Sequence, residues 1–241
     1  MYRISVTTIE KFRRYLFQAS AYDTEESLLQ SIKGIFTGND KTRVGSCCHK
    51  IIEQEAHIAD GGLIAQADGV QVFFTAEQAA PFVEFKRQHP RMIHEVPASK
   101  VYLTSFGPIL VTSRIDGVEG RQIQDSKTKF KTPDLREYAD SYQWRFYEDM
   151  LDVDLFHYDI FEVRGFEALK GAQPYQLPGV QFLDSVRLEC ARYEHMGDDC
   201  RLMLQEFLDY IELRNLWKYL KLADPSIPVT NKSSNNEVPI L

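Results

Sequence analysis

The chain is poor in cysteine. Four thiols occur among 241 residues, at Cys47, Cys48, Cys190 and Cys200, and no two form a Cys-x-x-Cys pair. That spacing disfavours a zinc ribbon or dithiol redox site and points to reduced thiols in a cytosol-like compartment. No apolar run is long enough to span a bilayer, so no membrane partner is expected. The first residues reach Lys11, Arg13 and Arg14 without an apolar signal core, which argues against secretion. Gly-x-x-x-x-Gly-Lys-Ser/Thr is missing, which excludes a built-in P-loop motor, and so is the His-Glu-x-x-His of zinc proteases. There is no internal repeat. A basic excess is missing too: 28 Lys and Arg against 35 Asp and Glu leave a net charge of −7. Whole-chain charge therefore does not mark a nucleic-acid binder, although the local field decides such binding.

What is present is enough chain for one large domain with a substantial core. Periodicity and capping residues predict helices over 8–20 and 24–36, with Thr7 and Thr24 as N-caps, and a third from about 44 to 58. Asp60-Gly-Gly ends that segment. Residues 64–75 are ambiguous, with a short strand at 70–74. Thr75 caps a helix toward His89, with Pro81 in its early turns. Strands follow near 93–105, 108–118 and 121–128, a helix from Pro133-Asp134 to about 152, and an alternating strand over 155–164. A loop-rich stretch leads into a long helical segment from 180 to about 222, broken near Met196-Gly197-Asp198. This order predicts an α/β fold with a mixed central β-sheet flanked by helices. Residues 1–223 read as one domain and 224–241, rich in Pro, Ser, Asn and Thr, as a flexible tail.

The densest chemistry lies in Arg114-Ile-Asp-Gly-Val-Glu-Gly-Arg-Gln-Ile-Gln-Asp-Ser-Lys127. A two-residue turn at Glu119-Gly120 sets Val118 across from Arg121 and Asp116 across from Ile123. Alternation then places Asp116, Ile123, Asp125 and Lys127 on one face. Two crowded carboxylates repel, and a bound cation removes that penalty. Carboxylate oxygens suit hard ions, so Mg²⁺ or Mn²⁺ is expected. Such an ion would activate a water against a phosphodiester, with Lys127 orienting that water or balancing charge. Taken alone, Asp-x-Lys on a hairpin is more often a solvated turn, so the wider context decides.

That context is Gly45-Ser-Cys-Cys-His49, the Ser-Val-Thr run at 5–7 before an aromatic-ended helix, and Gln143 with Tyr147 four residues later. Taken in chain order with Asp116 and Asp125-Ser126-Lys127-Thr128, these resemble the motifs of the PD-(D/E)XK nuclease superfamily. The likeness is to its RecB-like exonuclease branch, which includes the nuclease domains of bacterial recombination helicases, CRISPR-associated exonucleases, the mitochondrial genome-maintenance exonuclease and phage exonucleases. The resemblance spans most of residues 1 to about 165. It departs at Ser113, where the family usually has Gly, and in the short hairpin between the two acids.

The resemblance implies a restriction-endonuclease-like core with N-terminal and C-terminal helical additions. It implies a metal held by His49, Asp116, Asp125 and the Ser126 carbonyl, with Lys127 as catalytic lysine and Gln143 and Tyr147 supporting the site or touching DNA. Some relatives hold an iron–sulfur cluster through one N-terminal and three clustered C-terminal cysteines. This chain lacks that triplet, so no cluster is expected.

Residue spacing adds further candidates. Gln143 and Tyr147 share a helix face, and Arg136 falls on the same stripe, where it could meet a phosphate. Arg121, Lys127, Lys129, Lys131 and Arg136 form one basic set, and Lys11, Arg13 and Arg14 a second. A solvated basic loop accounts for either set equally well. Glu53 is a possible partner of a metal-bound water, and Glu95 a further candidate ligand. His57, at helical spacing from both His49 and Glu53, reads as structural.

The resulting expectation is a metal-dependent deoxyribonuclease, an exonuclease of recombination, repair or phage replication. It would act on single-stranded DNA or duplex with free ends in the nucleoid or infected-cell cytoplasm, beside a separate helicase or single-strand-binding or annealing protein. The alternatives are a structure- or site-specific endonuclease of the same fold and a non-catalytic DNA-binding protein.

Overall fold

The computed structural model describes residues 1–35 and 38–224, and the predicted tail lies outside them apart from its first residue. A seven-stranded sheet runs β10 (Lys221–Leu222), β1 (Tyr2–Ser5), β6 (Gly107–Glu119), β7 (Gln122–Lys129), β8 (Leu155–Arg164) and β9 (Gln181–Ala191), with β5 (Ile93–Thr104) also paired to β6. The β1–β6 and β7–β8 pairs are parallel and the others antiparallel, so the sheet is mixed, as predicted. A separate meander joins β2 (His57–Ala59), β3 (Gly62–Ala67) and β4 (Val70–Thr75).

Two apolar clusters flank the main sheet. One takes Ile9 and Phe12 from α1 (Val6–Leu16), Leu28 from α2 (Glu25–Ile32), Phe146 and Met150 from α6 (Tyr142–Leu151) and Phe207 from α7 (Met196–Leu213), all against Ile109, Val111, Ile123 and Phe156 of the sheet. The other packs α3 (Asp40–Ile52), α4 (Ala76–Gln88) and the meander against Phe161, Val163 and Phe182. Strand β8 is buried along most of both faces, which is why it reads as a nearly continuous apolar run.

Local signals set most boundaries. The Thr75 hydroxyl and the Gln78 side chain form a reciprocal capping box at the start of α4, where Pro81 is tolerated early in the helix. Thr24 caps α2 as predicted, but α1 is capped by Ser5 rather than Thr7, and α3 by Asn39. Helix α3 stops at Ile52, so His57 lies on a strand and leaves the helical spacing with His49. The ambiguous stretch 64–75 is an antiparallel pair, β3 and β4.

Two predictions need correction. The helix expected from Asp134 to Asp152 is two: α5 (Leu135–Ala139) and α6, the second restarted by the Ser141 side chain accepting from the Gln143 amide. The helix expected over 180–195 is strand β9. Its segment lies along the edge of β8 and pairs with it from Leu155 to Arg164. The buried β8 would otherwise leave backbone groups unpaired, and that requirement overrides local propensity.

Candidate metal centre

Strand β6 is shared along one edge. Residues 109–112 pair with β1 and residues 117–119 with β7, and the pairing with β7 ends at Gly117–Gln124. Between these two stretches the sheet forks. Asp116 on β6 and Asp125 on β7 are the next residues into that fork.

The turn between the strands is Gly120-Arg121, one residue later than predicted, with Gly120 in the left-handed region at φ 62. Val118 therefore faces Ile123 rather than Arg121. Sliding the turn by one residue changes the pairing by two, so the parity that put Val118 and Ile123 on one face survives.

Simple alternation does not bring Asp116 to the site. Ile115 and Val118 both pack into the core beneath α6 and α7 although they are three residues apart, so the pleat is interrupted between them. Strand β5 is interrupted at the matching place. Its Glu95, at the ladder position across from Asp116, has φ 55, and the ladder skips this pair between His94–Gly117 and Val96–Ile115. Asp116 sits where the strand changes face and reaches groups from both layers. Its Oδ2 is 3.5 Å from His49 Nδ1 on α3 and 3.8 Å from Lys127 Nζ on β7.

Asp125 is fully buried, and its Oδ2 is in close contact with the Lys127 ammonium. From α6, Gln143 Nε2 donates to Asp125 Oδ1 at 3.3 Å and to the Tyr147 hydroxyl at 3.0 Å. Burial, reinforced by the Asp116 carboxylate, pushes the Asp125 carboxyl up to about 7. Burial works to lower the Lys127 pKa, but the Asp125 and Asp116 charges outweigh it and hold the ammonium protonated. Tyr147 is raised to about 12 by burial and then by Asp125, so its hydroxyl stays neutral at physiological pH.

The residues fit a hard divalent ion. Oδ2 of Asp116 and Oδ2 of Asp125 are buried and lack a hydrogen-bond partner, leaving acceptor capacity faced by the Lys127 ammonium and, at Asp116, by the His49 ring. Beyond Gln124 the β6-side edge of β7 is unpaired among the described residues, so backbone groups of 125–127 on that edge are open to a ligand. A cavity of about 10 Å³, close to the room one water needs, lies beside Asp116 and is lined by His49, Glu53, His94, Gln124 and Ser126. Among the described residues no group of three His, Cys, Asp or Glu side chains is already arranged as a ligand set. Lys127 stands between the two carboxylates.

The remaining candidates divide. Glu53 lines the cavity and is ion-paired to Lys50 at 2.7 Å. Glu95 turns away to Arg114, 3.1 Å distant. Lys129 is bound to Glu137 at 2.8 Å beneath the Tyr138 ring. Arg136 is exposed on α5, and the break at Ser141 removes it from the stripe of Gln143 and Tyr147. The N-terminal basic set is neutralised within the chain: Lys11 and Arg14 grip Asp23 at 2.8 and 3.0 Å, and Arg13 grips Glu10 at 2.8 Å.

His94 is a neighbour no motif marks. Its Nδ1 is buried and unpartnered in the cavity wall, and only its place beside Glu95 distinguishes it in the sequence. The four thiols are buried in the two cores, Cys47 and Cys48 on α3 directly before His49.

No protein-family model matches the chain, and no curated protein matches it. Among solved structures, one described as "Crystal structure of SSO0001" aligns with 90% of this chain and 78% of its own, at 12% identity and a TM-score of 0.49.

Proposed function

We propose that the protein is a divalent-metal-dependent deoxyribonuclease of the PD-(D/E)XK superfamily, with a restriction-endonuclease-like core and an exonuclease activity of the RecB-like branch. The observation that carries this reading is the convergence of Asp116, Asp125 and Lys127 at the fork between β6 and β7, with His49 reaching in from α3.

Asp116, Asp125 and His49 would hold Mg²⁺ or Mn²⁺, with the Ser126 carbonyl as a further oxygen donor. A bound ion of this kind supplies an acidified water and charge neutralisation on the phosphate. The chain supplies the rest. Gln143 fixes the orientation of the Asp125 carboxylate, and Tyr147 holds the far side of that amide. Lys127 is protonated. Released from the carboxylates by the ion, it can meet charge building on the phosphodiester oxygens. Burial of Asp125 keeps its field unscreened by solvent.

End-labelled linear DNA, single- and double-stranded, incubated beside a closed circle with Mg²⁺, Mn²⁺ or EDTA tests this. Metal-dependent loss of linear but not circular DNA is the expected result. Cutting of the circle would assign the same centre to an endonuclease. No cleavage by wild type, with Asp125→Ala equally silent, would leave a DNA-binding protein.

A further inference from the structure

Four cations gather on the side of the fork opposite β7. Strands β1 and β10 pair so that Arg3 lies directly across from Lys221, an arrangement of like charges that destabilises a sheet. Lys33 and Lys218 hold their ammonium groups 5.1 and 5.2 Å from the centre of the Tyr219 ring in the adjoining segment. None of these four cations forms an ion pair among the described residues, in a chain with seven more acids than bases. A cleft of about 170 Å³ lies here, walled by Arg3, Ser5, Thr8, Thr112, Tyr219 and Lys221. A second, of about 370 Å³, shares Arg3 and Thr112 with it and continues past Ser99 to Arg114. No Asp or Glu lines either cleft. Thr112 is four residues from Asp116 along β6, about 13 Å at the rise of a strand.

We infer that a single strand of DNA leaves the candidate metal centre along Arg114 and Thr112 and lies in this carboxylate-free cleft, its phosphates on Arg3 and Lys221 and on the lysines around Tyr219. The anionic backbone removes the repulsion between Arg3 and Lys221, neither of which forms an ion pair among the described residues. The Ser5 and Thr8 hydroxyls, bonded to each other at 2.8 Å on the cleft wall, keep one proton between them for a phosphate oxygen, a sequence-independent contact. This path rests on the nuclease reading for its direction, but binding at the cleft is measurable without cleavage.

The test is fluorescence anisotropy of a labelled 20-nucleotide oligo(dT) in EDTA, with wild type, Lys218→Glu/Lys221→Glu, Arg3→Gln, and Lys86→Glu on α4 as a distant control. The double variant is expected to bind at least about tenfold more weakly, with the salt dependence of log affinity reduced by about 1.4, or 0.7 for each lost phosphate contact. Lys86→Glu should bind as wild type. Lys221→Glu alone should raise the thermal midpoint, because it turns a like-charge pair into an opposite one, while still losing DNA affinity; misfolding cannot produce that pair of changes.

Wild-type affinity in the double variant and in Arg3→Gln would overturn the path, and so would full competition by inorganic phosphate at equal phosphate concentration, which would assign the cleft to a small anion. A parallel cleavage assay separates the two readings. Cleft-dependent binding without cleavage in any metal keeps the path and removes the nuclease. Cleavage with undiminished binding by the variants keeps the nuclease and removes the path.

Discussion

Gln143 donates to Oδ1 of Asp125 from 3.3 Å, across the gap between α6 and β7. This hydrogen bond fixes a fully buried carboxylate whose other oxygen faces Lys127. Gln143→Ala should keep the fold and weaken Mn²⁺ binding about 10–100-fold, the usual cost of losing a group that orients a metal ligand. Isothermal calorimetry reads this directly. Unchanged affinity would mean that Asp125 is held by packing alone.

Asp116 and Asp125 share one ammonium. In the absence of metal, Lys127→Ala leaves two crowded carboxylates without a counter-charge and should lower stability by about 1–3 kcal/mol, less than for a wholly buried pair because Lys127 is partly exposed. Added Mn²⁺ should raise the thermal midpoint of Lys127→Ala more than that of wild type. Turnover by the same variant should fall by about 10²–10⁴ with metal affinity retained. Asp125→Asn should instead keep or raise metal-free stability while abolishing both Mn²⁺ binding and cleavage. A Lys127→Ala protein that no longer bound Mn²⁺ would recast the lysine as part of the ligand cage.

Glu148 on α6 is buried with neither carboxylate oxygen hydrogen-bonded, and burial, countered in part by Arg192, pushes it up to about 8. A carboxyl raised in the folded state favours the protonated native protein. Its contribution is complete below the unfolded value near 4.5 and is lost as pH rises through about 8. Stability should therefore fall by a few kcal/mol between those limits from this group. Glu148→Gln should flatten that slope and make the protein more stable than wild type above pH 8. Urea unfolding at pH 5 and pH 8.5 measures the difference, and equal slopes would reject it.

Phe82 fastens α4 to the sheet. It is fully buried, with its ring 4.7 Å from Phe161 and 5.3 Å from Phe182. Phe82→Ala should cost about 3–5 kcal/mol. Because α3 packs in the same cluster and carries His49, metal affinity should weaken as well. Denaturant unfolding and calorimetry on one preparation would show both losses, and a loss of stability with metal binding intact would separate His49 from this core.

The sequence by itself determined the strands and helices that carry strong local signals. The alternation of 155–164, the capping box at Thr75 and Gln78, and the acids and lysine flanking a short hairpin are all written in nearest-neighbour chemistry. The shared face of Ile123, Asp125 and Lys127 was legible as well, because the parity of a two-stranded hairpin survives a turn displaced by one residue. Tertiary structure decided what depends on distant partners. Strand β9 exists because the buried β8 needs a hydrogen-bonding neighbour. Lys11, Arg14 and Lys129 are neutralised by acids that folding brings to them. Asp116 faces both layers because β5 and β6 break their pleat at the same point. The Arg3–Lys221 pair joins chain segments more than two hundred residues apart, and no local pattern encodes a repulsion that arises only when the two edges of the sequence are laid side by side.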